Sequence, residues 1–257
     1  MSSTYQLEKI VGTEDDFDIE LSDSYVVFIL TGAAFYGINA FLQRYENQKA
    51  SANDIDPWRW RKIVVSWIHG FIIGVWSFVG LLCYPELLDD PLLFVNTSSY
   101  MLILVSTGYF FYDALDIIVN SRIQEKMGVF LHHVVVIAAF GYILHVKLCV
   151  GYSQITLLAE FNSIFLHGRK LLRMANFGFD TSLYRIFSYL NILTFFVFRI
   201  IPFSYCLYGC FADRHRSYAF IFYLLTSVNI VVDVVNVVLF WRIIQSDLIK
   251  PYLKKKH

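Results

Sequence analysis

Charge is scarce in this 257-residue chain. Asp, Glu, Lys and Arg make up 16% of it, and 21 basic residues balance 21 acidic ones, for a formal net charge of zero. No global field draws the chain to nucleic acid, which is not an expected partner. Only four cysteines occur, Cys83, Cys149, Cys206 and Cys210, and none forms a CxxC pair. A zinc ribbon or a thioredoxin-like motif therefore has no support. No cleavable signal peptide is visible, since the first 24 residues are polar and acidic, with Glu14, Asp15, Asp16, Asp18, Glu20 and Asp23. The first apolar segment must then act as its own insertion signal. Tandem repeats and low-complexity tracts are absent. So are a GxSxG elbow, a Walker loop and a Rossmann glycine pattern.

What the chain does have is apolar length. Hydrophobic residues make up 57% of it, and the mean hydropathy is +0.53, well above ordinary soluble domains. A membrane helix needs about 20 mostly apolar residues. Seven stretches qualify: Tyr25–Gln43, Lys62–Tyr84, Ser98–Asn120, Gly128–His145, Cys149–Leu171, Ile186–Gly209 and Ser217–Arg242. The expected fold is an all-α integral membrane protein of about seven transmembrane helices. The fourth stretch is short and the fifth is polar. A re-entrant fifth segment is the alternative, provided that protein covers its backbone.

Positive charge sets the expected orientation. With the N-terminus in the lumen, the cytosolic segments and helix ends hold Arg44, Lys49, Arg59, Arg61, Lys62, Arg122, Lys126, Arg169, Lys170, Arg173, Arg185, Arg242, Lys250, Lys254, Lys255 and Lys256. The lumenal segments hold only Lys9, Lys147, Arg214 and Arg216. An odd number of spans with a cytosolic C-terminus predicts that asymmetry. All four cysteines then fall near the lumenal side, as disulfides or as buried free thiols. The chain ends Lys254-Lys255-Lys256-His257. Lysines at the third and fourth positions from a cytosolic C-terminus resemble a dilysine signal. That implies residence in the endoplasmic reticulum membrane and coat machinery as a partner; contact with anionic lipid is the alternative. The sequon Asn96-Thr97-Ser98 sits in a lumenal loop close to the third helix. Trp58 and Trp60 sit where interfacial belts are expected. Gly70 and Gly74 make a GxxxG, either a close packing site or chance.

Ionisable groups inside the membrane each need a reason, because each costs ~2.5–3.5 kcal/mol at helix centre. The candidates are His69, Asp113, Asp116, His132, His133, Glu160, Arg199 and Asp233, with Asn191, Asn229 and Asn236 as uncharged polar residues. Counted from the helix ends, most lie ~6–16 Å from the cytosolic side, and Arg199 ~20 Å. Asp113 and Asp116 share a helix face at i, i+3. Asn229, Asp233 and Asn236 form a stripe at i, i+4, i+7, and Glu160 and His167 are i, i+7. The expected result is a polar-lined chamber open to the cytosol. His132 and His133 differ by ~100° around their helix, so only one faces that chamber squarely. A histidine beside Asp113 or Asp116 has its tautomer fixed and serves as a general base. A structural polar network gluing helices is the alternative. Histidines and aspartates together also suit a metal. The HxxHH or HxxxH boxes of di-iron membrane desaturases and hydroxylases are missing, so no metal site is expected.

These residues resemble the TLC family, the translocation-associated, longevity-assurance and neuronal-lipofuscinosis membrane proteins. Trp60 through Ser66 to His69 looks like the opening of its domain. Gly108-Tyr109-Phe110-Phe111-Tyr112-Asp113 looks like its GYxxxD helix, and Leu131-His132-His133 like its paired histidines. Leu157–Ser163, Phe198-Arg199-Ile200 and Asp233-Val234-Val235-Asn236 look like later helices of the small members, with the TLC domain-containing protein 4 branch nearest. The resemblance implies a TLC domain over residues 57–246, preceded by an acidic lumenal segment (1–24) and a first helix with its linker (25–56). A basic tail (247–257) follows. Ile164 and His167 stand where small members usually carry proline and asparagine. The His-Asp segment that follows the paired histidines in the ceramide synthases is missing, so that activity is not implied.

The resemblance does imply lipid handling. In the synthases the paired histidines face a chamber where an acyl group is transferred from acyl-CoA. Three functions follow. The first is an acyl-CoA-dependent lipid acyltransferase, with His132 or His133 as base or nucleophile, Asp113 or Asp116 orienting it, and acyl-CoA as co-substrate with no other cofactor. His69, Glu160, Arg199, Asp233 and Asn236 would line the lipid or acyl site. Arg61, Lys62, Arg122 and Lys126 would attract the CoA phosphates; the alternative is that they only follow the positive-inside rule. The second is a non-catalytic lipid-binding regulator of membrane composition. The third, drawn from the lysine tail and not from the resemblance, is a trafficking receptor cycling from the endoplasmic reticulum. Homo-oligomerisation stays open.

Overall fold

The computed structural model describes residues 21–53 and 56–249. The acidic segment ahead of residue 21 and the tail with Lys250 and Lys254–Lys256 lie outside the described residues. Regular structure among the described residues is helical, with no strand. The order is α1 (Leu21–Asn53), α2 (Pro57–Cys83), a 3₁₀ turn (Pro85–Leu88), α3 (Thr97–Val119), α4 (Ile123–Val146), α5 (Val150–Leu157), α6 (Ala159–Met174) and α7 (Ser182–Phe195). A π turn (Phe196–Ile200), α8 (Ile201–Ala212), α9 (Ala219–Ile244) and a second π turn (Gln245–Ile249) complete it.

Local chemistry sets several of these boundaries. Pro57 opens α2, where its missing N–H costs nothing, and Asp56 Oδ1 accepts from Trp58 N at 3.1 Å. Asn96 caps α3 in the same way, accepting from Ser99 N at 2.7 Å, so the asparagine of the sequon serves as a helix cap. Lys147 ends α4 in the left-handed region, φ 55°. Cys149, φ 63°, turns the chain into α5 with its N–H on Leu92 O at 2.7 Å. Pro202 near the start of α8 cannot donate to the preceding turn. The π turn lies immediately before it, as expected where a ladder must adjust.

Six helical stretches are long and apolar enough to cross a membrane: Asp23–Tyr45, Pro57–Cys83, Thr97–Val119, Ile123–Val146, Ser182–Ala212 and Phe222–Ile249. Each overlaps one of the seven segments expected from sequence. The fifth, Cys149–Leu171, is not among them, because it comes as two pieces, α5 of 8 residues and α6 of 16. Between them Leu158 N and Phe161 N bond three residues back, to Ile155 O at 3.2 Å and Leu158 O at 3.0 Å, a tightened turn. Exposure runs opposite to that of a water-soluble protein. On α9, Val231, Val234 and Val237 are about 60% exposed while Asn236 is 2% exposed. The chain is an all-α integral membrane protein.

It divides into two compact units, Met1–Ala40 with Val79–Gln154, and Phe41–Phe78 with Ile155–His257. In the first, α1 packs on α3 through Gly108, where a Cβ would stand 2.9 Å from Thr31 Cβ and 3.0 Å from Phe28 O. Phe35 meets Tyr109 edge-on at 4.8 Å. Ser24 bonds to Tyr100 Oη at 3.2 Å, and that hydroxyl donates to Leu144 O at 3.3 Å. In the second, α2 lies directly on α6. A Cβ on Gly70 would stand 3.0 Å from Ser163 Cβ, and one on Gly74 would overlap the backbone of Phe161. The GxxxG is a close packing site.

Candidate functional site

In the first unit, α3 builds the seat of a histidine. Phe110 and Asp113 are i, i+3 and share a face. His133 on α4 fits against both: its ring lies 5.1 Å from that of Phe110, and its Nδ1 is 3.0 Å from Asp113 Oδ2. Asp113 is 2% and His133 7% exposed. The distance is that of a hydrogen bond, but the Nδ1–H direction is off line. The contact is therefore electrostatic. A carboxylate at Nδ1 favours the proton there and leaves Nε2 as an acceptor.

The paired histidines split as their 100° offset requires. His133 faces inward, and His132 is exposed, its ring 5.6 Å from that of His133. The two carboxylates split as well. Asp116 Oδ1 accepts from Asn39 Nδ2 at 3.3 Å and from Asn120 Nδ2 at 3.1 Å, so Asp116 ties α1 to the end of α3. Arg122 and Lys126 both meet Glu125, at 3.1 and 2.7 Å.

In the second unit, the glycine face of α2 brings His69 to α6. Its Nδ1 is 3.7 Å from Glu160 Oε2, and the residue is 1% exposed. Arg199 sits in the π turn. Its Nε donates to Asn162 Oδ1 at 2.9 Å and its Nη2 to Ser163 Oγ at 3.0 Å. The guanidinium also lies 5.5 Å from the centre of the Phe195 ring. Asn162 Nδ2 faces three acceptors on α7: Asn191 Oδ1 and Asn191 O at 3.1 Å, and Thr194 Oγ1 at 3.0 Å. On α9, Asn229 and Asn236 are buried at 8% and 2% exposure. Asp233 is only half-buried, with no hydrogen bond or ion pair among the described residues.

The predicted site residues thus gather in two sets, one within each unit. Asp113, Asp116, His132 and His133 belong to the first, and His69, Glu160, Arg199, Asp233 and Asn236 to the second. Three features escaped the sequence reading. Asn162 and Thr194 are the links between Arg199 and α7, and the spacing of polar residues along α6 and α7 was their only signal. Asn39, a lone polar residue in an apolar stretch, is the tie between α1 and Asp116. Asp247, expected in a basic tail, is instead 1% exposed in the second π turn and ion-paired with Arg169, with Ser246 donating to the same oxygen. All four cysteines are free thiols.

Comparison with known proteins gives the family. The family model described as TLC domain matches residues 59–245. TLC domain-containing protein 2 of Danio rerio is 36% identical over 202 residues, 78% of this chain and 81% of that protein. TLC domain-containing protein 1 of Homo sapiens is 29% identical over 205 residues, covering 80% and 82%. TLC domain-containing protein 4-B of Danio rerio is 24% identical over 121 residues, covering 47% and 45%. The branch numbered four is thus not the one these matches favour. No solved structure matches. With its apolar helices and this match over most of its length, the chain belongs to the TLC domain family of multi-pass membrane proteins.

Proposed function

We propose that this protein binds and handles membrane lipid, with His133 as the acid–base group of its site and Asp113 as the group that orients it. The observation that carries the reading is the buried pair itself, Nδ1 to Oδ2 at 3.0 Å on two membrane-spanning helices. The chemistry it suits is acyl transfer from acyl-CoA. His133 Nε2 takes the proton of a lipid hydroxyl or amine as that atom attacks the thioester carbonyl. The C–S bond breaks, and the departing thiolate takes the proton back. The second reading is a lipid-binding regulator that leaves its ligand unmodified; the missing synthase segment after His133 favours it.

One preparation separates the two. The full chain in lipid nanodiscs is given labelled acyl-CoA with candidate amines and alcohols, and its co-purifying lipids are identified by mass spectrometry. Turnover that falls about a hundredfold or more in His133→Ala supports catalysis. Turnover unchanged in the His132→Ala, His133→Ala double variant removes it. A bound lipid without turnover supports the regulator, and neither lipid nor turnover sinks both.

The lysine tail supports residence in the endoplasmic reticulum with the C-terminus in the cytosol and retrieval by coat machinery. Lys254→Ser with Lys255→Ser is then expected to move the protein outward along the secretory path in imaged cells. An unchanged distribution refutes retrieval, and with it the receptor reading.

A further inference from the structure

The hydrogen-bond network around Arg199 has a direction, and it ends on a donor. A guanidinium only donates. Its Nε meets Asn162 Oδ1 at 2.9 Å, which fixes that amide and makes Asn162 Nδ2 the donor on the far side. Asn162 Nδ2 in turn meets Asn191 Oδ1 at 3.1 Å, which fixes the second amide. Asn191 Nδ2 is left without an acceptor on a residue that is 0% exposed. Turning over either amide would set oxygen against oxygen or donor against donor. A second orphan of the same kind is Asn236 Nδ2, on a residue 2% exposed. Asn236 lies one turn from Phe240, whose ring stacks on Phe195 at 5.5 Å. It is therefore on the face of α9 that packs against α7 and the π turn.

The π turn brings these groups into line. Eight residues of regular helix would rotate Arg199 about 80° away from Asn191. The extra residue held in the π turn rotates Arg199 back toward that line. The cation is also underused. Two of its five N–H bonds are engaged, and no carboxylate oxygen lies within 4.0 Å among the described residues. Glu160 acts on it only through space. The side chain is half-buried, so a ligand can reach it. A water would satisfy one amide but not the charge, whereas an oxyanion answers both.

We propose that this centre binds an oxyanion, the phosphate or carboxylate head of a lipid, through the remaining N–H bonds of Arg199 and the amides of Asn191 and Asn236. It is independent of the His133 reading. The test uses the full chain in detergent, titrated with oleate, phosphatidic acid, inorganic phosphate and diacylglycerol, followed by thermal shift and native mass spectrometry. Oleate or phosphatidic acid is expected to bind and raise Tm. Which of the two binds tells carboxylate from phosphate, and binding of inorganic phosphate shows that the head alone suffices. Diacylglycerol, which has the chains without the charge, is expected not to bind. Arg199→Gln and Asn191→Asp should each weaken binding about tenfold or more, the first by removing the cation and the second by repelling the ligand. Should Arg199→Gln fail to fold, Asn191→Asp decides. Absence of oxyanion binding, equal binding of diacylglycerol, or wild-type affinity in Asn191→Asp overturns the proposal. None of those results bears on acyl turnover, which tests the other site.

Discussion

Alanine at three glycines should give three different signs, and the spread tests whether α2 rests on α6 backbone to backbone. Replacing glycine by alanine within a helix stabilises by about 0.5–1 kcal/mol where there is room, because the unfolded chain loses more freedom. At Gly37 on α1 a Cβ would meet nothing within 4 Å, so Gly37→Ala should stabilise by about that amount. At Gly70 the Cβ would stand 3.0 Å from Ser163 Cβ and 3.3 Å from Glu160 O. Those neighbours need to give only a few tenths of an ångström, and the two effects should nearly cancel. At Gly74 the Cβ would come within 2.7 Å of Glu160 C and nearer still to Phe161 N and Cα. Backbone cannot rotate aside, so one helix must shift. Overpacking of that kind costs about 1–3 kcal/mol, which leaves Gly74→Ala less stable by about 1–2 kcal/mol. The same shift would draw His69 away from Glu160. Equilibrium unfolding in detergent ranks the three variants. Gly74→Ala as stable as Gly37→Ala would refute the close approach, and with it the physical basis for the His69–Glu160 contact.

The other expectations concern single polar contacts. Arg169→Ala leaves the buried Asp247 carboxylate without its cation and should cost about 3 kcal/mol or more in the same unfolding assay; Arg169→Met with Asp247→Leu should cost much less, and equal losses would contradict the pairing. Asn39→Leu should cost about 1 kcal/mol by removing the bond between α1 and α3, while Asp116→Asn, which keeps an acceptor oxygen there, should cost less. In nitrogen-15 spectra of labelled histidine, Asp113→Asn should change the Nδ1-to-Nε2 tautomer balance of His133 and Asp116→Asn should not; the opposite pattern would reassign the partner.

The helices were legible because the bilayer imposes one simple requirement, length without charge. That rule found the six long spans, most ends to within about five residues, while Arg242 falls well short of Ile249. It did not show that Cys149–Leu171 comes as two helices, because window length hides a tightened turn at Leu158. It also misjudged Asp247. Counting charge from the C-terminus places that residue in a polar tail, whereas the ladder continues through it as a π turn and Arg169 meets it there. Both features escape a window for one reason: apolar windows register composition, while these features depend on which carbonyl a given N–H reaches.

Within the site, periodicity carried some assignments and could not carry others. The 100° step between neighbours is enough to say that His132 and His133 diverge, and the i, i+3 spacing puts Asp113 and Asp116 on one face. Neither spacing can say which carboxylate meets a histidine, because that depends on the rise between them. Asp116 is one turn further along α3, at the level where Asn39 of α1 arrives. Asp113 is left opposite His133, with Phe110 closing the other side. For Arg199 the limit is sharper. Read as regular helix, Arg199 and Asn191 lie about 80° apart, and nothing in a helical projection would join them. The π turn before Pro202 reduces that angle, and the hydrogen bonds through Asn162 join the two. A proline one turn beyond an arginine inside an apolar helix is therefore a sequence signal in its own right, because it marks where a helix can gain a residue and re-aim a charge toward polar neighbours that regular periodicity assigns to another face.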